Sequence, residues 1–99
     1  MRVGTIVELK IKCLGNNPGA IGVVFGDYGD GFQAIFENGE YDGFSNRRIM
    51  LDGQTECEYF LKEIGLELLL ADYEFENVIQ VSEDFRNGVF KPAFQRKEN

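Results

Sequence analysis

The fold is decided by residues 5–44, which read TIVELKIKCLGNNPGAIGVVFGDYGDGFQAIFENGEYDGF. Short runs with regularly spaced apolar residues alternate here with turns rich in glycine, asparagine and aspartate. Strands this short bury a core only if the sheet curls into a small barrel or packs as a compact sandwich. The stretch therefore predicts a mainly β domain that begins with four strands: Thr5–Cys13, Ile21–Phe25, Phe32–Glu37 and Glu40–Phe44.

The spacing of apolar residues within these runs has the period of two that is typical of strands. The first run is predicted to have one apolar face and one wet face, the latter carrying Glu8, Lys10 and Lys12. Asn38-Gly39 predicts a hairpin of type I′, in which both central residues take positive φ. The third run places three apolar side chains on one face: Phe32, Ala34 and Phe36.

The periodicity changes after residue 54 and predicts a helix. Thr55-Glu56-Cys57-Glu58 fits a capping box, in which the Thr55 hydroxyl accepts from the Glu58 amide and the Glu58 carboxylate reaches back. Gly65 is the expected C-terminal stop. An apolar stripe with helical spacing is predicted to cover one barrel opening: Cys57, Phe60, Leu61 and Ile64.

Val78–Ser82 is predicted to be the fifth strand, which returns to close the barrel. The chain is thus expected to be one domain over residues 1–99, a five-stranded barrel with one amphipathic helix inserted between strands four and five. The predicted parts are strands one to four in 1–50, a helical insert in 51–74, a closing strand in 75–91 and a tail in 92–99.

The opening residues carry a resemblance to a known architecture. Val3-Gly4-Thr5-Ile6-Val7, the glycine loop ending at Gly19, and Ile21-Gly22-Val23-Val24 resemble the KOW-type opening of SH3-like barrels. The resemblance covers residues 3–44 and implies nucleic-acid or RNA-polymerase-related binding, although the basic loops of RNA-binding members are missing. The compact, acidic style is also similar to small accessory proteins of bacteriophages and other mobile elements.

The charge is negative overall, at −7, and is concentrated in residues 51–84, which hold ten acidic residues and only Lys62 as a basic one. An acidic chain does not neutralise phosphates, so direct binding of nucleic acid is not expected. The acidic segment is predicted to be a solvated face. The alternative is contact with a basic partner, or mimicry of nucleic-acid phosphates that blocks a nucleic-acid-binding protein.

Residue types needed for catalysis are scarce. The chain has no histidine, which removes the commonest general base and metal ligand, and its two cysteines are too few for a structural zinc site. We therefore expect a non-enzymatic protein without cofactor, metal or catalytic residues. The weaker alternative is a hard cation held by loop carboxylates. These lie between residues 27 and 42: Asp27, Asp30, Glu37, Glu40 and Asp42.

The absence of a signal-like or membrane-length apolar stretch predicts a cytoplasmic protein that does not contact a membrane. We expect a monomer or a weak homodimer whose function is to bind another, unidentified protein. Aromatic residues in turns, and arginine, are favoured at protein interfaces. The candidate binding surface consists of four residues: Tyr28, Tyr41, Arg47 and Arg48.

Overall fold

In the computed structural model, residues 1–95 are described. The strands are β1 (Thr5–Leu9), β2 (Ile21–Asp27), β3 (Gly31–Phe36), β4 (Tyr41–Ser45) and β5 (Leu61–Leu66). The helices are α1 (Glu56–Phe60), α2 (Val78–Arg86) and α3 (Lys91–Phe94), and a 3-10 helix spans Leu68–Leu70.

All five strands belong to one antiparallel sheet with the order β4-β3-β2-β1-β5. The mainly β class is therefore confirmed, and α1 lies between strands four and five of the chain as predicted. β4 and β5 stand at opposite ends of the hydrogen-bonded order, and within residues 1–95 they do not pair with each other.

The hairpin between β3 and β4 is confirmed, but its turn type is not. Gly39 has a φ of 86°, whereas Asn38 is not in the positive-φ region. The Gly39 amide donates to the Phe36 carbonyl and the Phe36 amide donates to the Glu40 carbonyl, at 2.8 and 2.9 Å. Only one left-handed residue is needed, as in a three-residue hairpin loop that ends in a glycine bulge. The type I′ prediction is therefore wrong.

Two buried clusters lie on opposite faces of the sheet. The inner cluster consists of residues of the five strands, with Cys57 and Phe60 of α1 packed against it, and includes the three predicted β3 residues: Val7, Leu9, Val24, Phe32, Ala34, Phe36, Phe44 and Leu61. The outer cluster is covered by the 3-10 helix, α2 and α3: Ile6, Ile21, Val23, Phe25, Ile35, Leu70, Val81, Phe90 and Ala93.

The first strand is shorter than predicted and has no wholly wet face. It ends at Leu9, and the neighbours Ile6 and Val7 are both buried, one in each cluster. Glu8 is half-buried. Of the predicted wet residues, Lys10 and Lys12 are exposed but lie beyond the end of β1. Within the strand, the face that carries Glu8 also carries Ile6, which is buried in the outer cluster, so the wet face is confirmed only in part.

The start of α1 is confirmed and its length is not. Glu58 N donates to Thr55 Oγ1, and Thr55 N donates to Glu58 Oε1 at 2.9 Å, which completes the capping box. The helix ends at Phe60, because Leu61 turns to extended geometry and pairs with Leu9 of β1. Of the predicted stripe, Ile64 is exposed, whereas the rest packs in or against the inner cluster.

The predicted closing strand at Val78–Ser82 is wrong, because this segment starts α2. Asn77 caps the helix by accepting from the Gln80 amide at 3.0 Å. Helical geometry lets Val81 and Phe85, four residues apart, reach the outer cluster. The fifth strand is β5, which lies within the segment that was predicted to be a helical insert. The predicted tail begins inside α3, and its residues 96–99 lie outside the described part of the chain.

Candidate functional site

A cleft of about 590 Å³ opens between the end of β2 and residues 71–75, the segment that leads from the 3-10 helix to α2. We call it the Gly26 cleft, after the residue at its floor. Its lining combines small residues, aromatic rings and carboxylates: Val3, Phe25, Gly26, Asp27, Tyr28, Ala71, Asp72, Tyr73, Glu74 and Phe75.

An irregularity in the β2–β3 ladder shapes the floor. Val24 pairs with Ala34, but the next pair joins Gly26 to Gln33, so that Phe25 is an extra residue on β2. Such a bulge bends the strand and redirects its side chains. Phe25 is buried in the outer cluster, and Gly26 follows it at the cleft floor.

Gly26 allows a close approach of two rings to the backbone of β2. A methyl group at this residue would lie 2.8 Å from Tyr28 Oη and 3.4 Å from Phe75 Cε1. The missing side chain thus leaves the space that the Tyr28 and Phe75 rings occupy above β2. The glycine determines where the two walls of the cleft can meet.

Tyr28 forms the exposed wall. Tyr28 is 61% exposed, and its hydroxyl donates to Gln33 Oε1 at 2.6 Å. Its backbone amide donates to the Gly31 carbonyl at 2.8 Å, which closes the β2–β3 turn. The ring is therefore anchored at both ends while one of its surfaces faces solvent.

Tyr73 and Phe75 form the opposite wall, with ring centroids 6.3 Å apart and planes inclined by 22°. Phe75 contacts Phe25 edge-on at 5.2 Å, and Tyr73 contacts Phe90 at 5.1 Å. The Tyr73 hydroxyl donates to Asp84 Oδ2 at 2.6 Å. Burial, together with this carboxylate, raises the pKa of Tyr73 well above its ordinary value. This wall is fixed by the core.

Carboxylates surround the rings. Asp27, Asp72 and Glu74 are exposed and line the cleft, and none of the described residues that line it is basic. Within residues 1–95 none of the three forms an ion pair. No three acidic or cysteine side chains in that part of the chain converge closely enough to share a metal ion. The negative charge is therefore spread along the rim and not gathered at one point.

The four predicted site residues are only partly brought together. Tyr28 lines the cleft, and Arg47 lies beside the same turn, with its Nη1 3.2 Å from Asp30 Oδ2. Tyr41 is half-buried and contacts Phe25 edge-on at 5.9 Å, so it supports the floor from behind. Arg48 pairs with Glu56 of α1 at 2.9 Å and does not line the cleft.

The second wall was missed by reasoning from the sequence. Its signal is an alternation in residues 71–75, where Ala71, Tyr73 and Phe75 are half-buried while Asp72 and Glu74 are exposed. That is the period of two of an extended chain against a surface. The preceding triple leucine run obscured this pattern, because it favours a continuing helix.

Comparison with protein-family models, with curated proteins and with solved structures finds no match to this chain. In the part of the chain that the structure describes, no helix combines the length and the apolar composition needed to cross a membrane.

Proposed function

We propose that this protein is a non-enzymatic interaction module that binds another protein at the Gly26 cleft. The observation that carries the proposal is the exposed Tyr28 ring. It faces the fixed Tyr73 and Phe75 rings across Gly26, which has no side chain to fill the space between them. Concave sites with aromatic walls and a few polar groups are the usual form of binding pockets. Tyrosines in such pockets are frequent hot spots of protein interfaces.

The chemistry of the lining favours binding over catalysis. Neither Cys13 nor Cys57 lines the cleft, and the chain has no histidine. The Tyr73 hydroxyl already donates to Asp84. Covalent catalysis needs an activated nucleophile, and the raised pKa of Tyr73 makes its hydroxyl a weak one despite the bond to this carboxylate.

The proposal includes an SH3-like barrel as the scaffold. Its support is that Phe44 of β4 and Leu61 of β5 belong to the same buried cluster, although their strands are at opposite ends of the hydrogen-bonded order. The ring of Phe60, at the end of α1, lies 5.8 Å from that of Phe44. A flat sheet would keep its two outer strands apart, so these contacts favour a curled sheet.

Nucleic-acid binding, the alternative that the KOW-like opening implies, gains no support from the cleft. Asp27, Asp72 and Glu74 would repel a phosphate backbone, whose binding depends on neutralisation by lysine and arginine. The proposal therefore places a protein, and not RNA or DNA, at this site.

Site-directed photo-crosslinking tests the proposal. A benzophenone amino acid replaces Tyr28 in one variant and Leu51, a fully exposed loop residue that does not line the cleft, in a control variant. We expect irradiation in a nuclease-treated lysate of the source organism to give a discrete protein adduct from position 28 only. No adduct at position 28, equal adducts at both positions, or an adduct to nucleic acid would overturn the proposal.

A further inference from the structure

We infer that the Gly26 cleft takes a lysine or arginine side chain from a segment of the partner protein. The inference rests on the proposed function and names the group that occupies the site. It follows from three properties of the cleft: the sign of its charge, the nature of its walls and the way its carboxylates are spread.

The charge of the rim lacks a counterpart within the described chain. Asp72 and Glu74 are exposed on the segment that forms one wall, and Asp27 stands on the other side at the end of β2. The described arginine ion pairs are made elsewhere, to Asp30 and Glu56. A cationic group entering the cleft would therefore meet carboxylates from two sides without having to displace an internal ion pair.

The walls suit the stem of a long basic side chain. Lysine and arginine pack their methylene groups along apolar surface and keep the charged head near water or carboxylates. The Tyr28 ring and the stacked Tyr73 and Phe75 rings offer that surface. A cation above an aromatic face gains further attraction from the ring quadrupole.

The spread of the carboxylates distinguishes this occupant from others. A metal ion needs ligands that meet at one point, and the acidic groups of the described chain do not. A purely apolar group in the cleft would remove water from the rim carboxylates without giving them a hydrogen-bond or ion-pair partner. Such desolvation of a charged group costs free energy. The volume of about 590 Å³ lies within the range of sites for small ligands and side chains.

The test uses a peptide probe and the intact protein. The capped pentapeptide acetyl-AKAKA-amide is titrated into isotopically labelled protein, and backbone amide shifts are followed by NMR. The control peptide carries norleucine in place of both lysines and so keeps the stem without the charge. We expect saturable shifts at Gly26, Tyr28 and Glu74 with the lysine peptide, at least about fivefold weaker binding of the norleucine peptide, and weaker lysine binding as salt is raised.

Matched variants separate local charge from net charge. Asp72→Asn with Glu74→Gln removes two charges from the rim, and Glu63→Gln with Glu83→Gln removes two exposed charges from β5 and α2. The rim pair is expected to weaken binding of the lysine peptide by about fivefold or more, and the second pair, which does not line the cleft, by less than about twofold. Equal losses in both pairs would overturn the inference, because they would show a response to net charge alone.

The remaining outcomes are also decisive. Equal binding of the two peptides, or no shift at the cleft with either, overturns the cationic occupant. If the benzophenone at position 28 captures a protein while the lysine peptide fails, the proposed function stands and this inference falls. If the lysine peptide binds but no protein is captured, the proposed function falls. Self-association that the rim pair abolishes would identify a second copy of this chain as the occupant and overturn the partner assignment.

Discussion

Two glycines of β2 provide a matched test of how the strand supports the cleft. Gly22 and Gly26 both have φ values outside the positive region, so alanine fits the backbone at either position. A methyl group at Gly22 would lie 2.6 Å from Cδ1 and Cε1 of Phe36. A methyl group at Gly26 would lie 2.8 Å from the hydroxyl of Tyr28. The two substitutions are chemically identical and differ in whether the obstructing ring can move.

The expected magnitudes follow from that difference. Phe36 is fully buried in the inner cluster, so Gly22→Ala overpacks the core at a cost of about 1–3 kcal/mol. Tyr28 is mostly exposed, so Gly26→Ala turns the ring outward and breaks its bond to Gln33 at little cost. Each alanine also restricts the unfolded chain, which stabilises by about 0.4–1 kcal/mol. We expect a net loss of about 1.3 kcal/mol for Gly22→Ala and a change close to zero for Gly26→Ala.

Urea unfolding followed by circular dichroism measures both changes. In thermal unfolding, a loss of about 1.3 kcal/mol in a domain of this length lowers the melting temperature by roughly 5–10 °C, whereas Gly26→Ala should melt close to wild type. Gly26→Ala should nevertheless weaken partner capture, because the displaced ring no longer faces Phe75. Equal destabilisation by the two variants would refute the reasoning, since it would show that Tyr28 is as firmly packed as Phe36.

Three further predictions concern the supporting contacts. Thr55→Ala removes the α1 cap and should cost about 1 kcal/mol. The Thr55 backbone amide and, to a lesser extent, its hydroxyl donate to the Glu58 carboxylate and lower the pKa of that group, so their stabilisation is present above the ordinary value of 4.5 and is lost at lower pH. Alanine keeps the amide bond and removes only the hydroxyl bond, so urea unfolding at pH 7 and 3 should show an acid-induced loss that is only slightly smaller in the variant than in wild type. Tyr73→Phe should cost about 1 kcal/mol at pH 7. Because the pKa of Tyr73 is raised in the folded protein, this stabilisation is fully present below the ordinary value of 10.0 and falls as the pH rises above it, since the phenol ionises first in the unfolded chain; a difference that stays unchanged well above pH 10.0 would contradict the prediction. Phe60→Ala should cost roughly 1–3 kcal/mol by thermal unfolding, and a loss below about 0.5 kcal/mol would mean that α1 does not pack on the sheet.

The parts of the fold that could be predicted from the sequence are those set by local chemistry. The hairpin at Asn38-Gly39 and the cap at Thr55 depend on residues within four positions of each other. The end of α1 depends on a distant contact, because Leu61 becomes extended to pair with Leu9, 52 positions earlier. No periodicity within residues 55–65 encodes that pairing, so the stripe alone favours a longer helix.

The same distinction applies to the cleft. Tyr28 is a candidate binding residue from the sequence because it is an aromatic residue in a turn, and in the structure it is 61% exposed at the cleft. The opposite wall has no regular secondary structure, and its geometry depends on Phe25 and Phe90, which are distant in the chain. Val78–Ser82 was predicted to be a strand because valine and isoleucine favour strands, but packing against the outer cluster selects a helix.

The central claim is that a protein binds at the Gly26 cleft, and quantitative capture from a nuclease-treated lysate at moderate salt tests it most directly. The baits are wild type, Tyr28→Ala, which removes the exposed wall, and Leu51→Ala, which removes an equally exposed apolar side chain outside the cleft. The account predicts one discrete protein retained by wild type and by Leu51→Ala and at least about tenfold depleted with Tyr28→Ala. Equal retention by all three baits, or a protein that wild type retains only in a parallel lysate without nuclease, would contradict it.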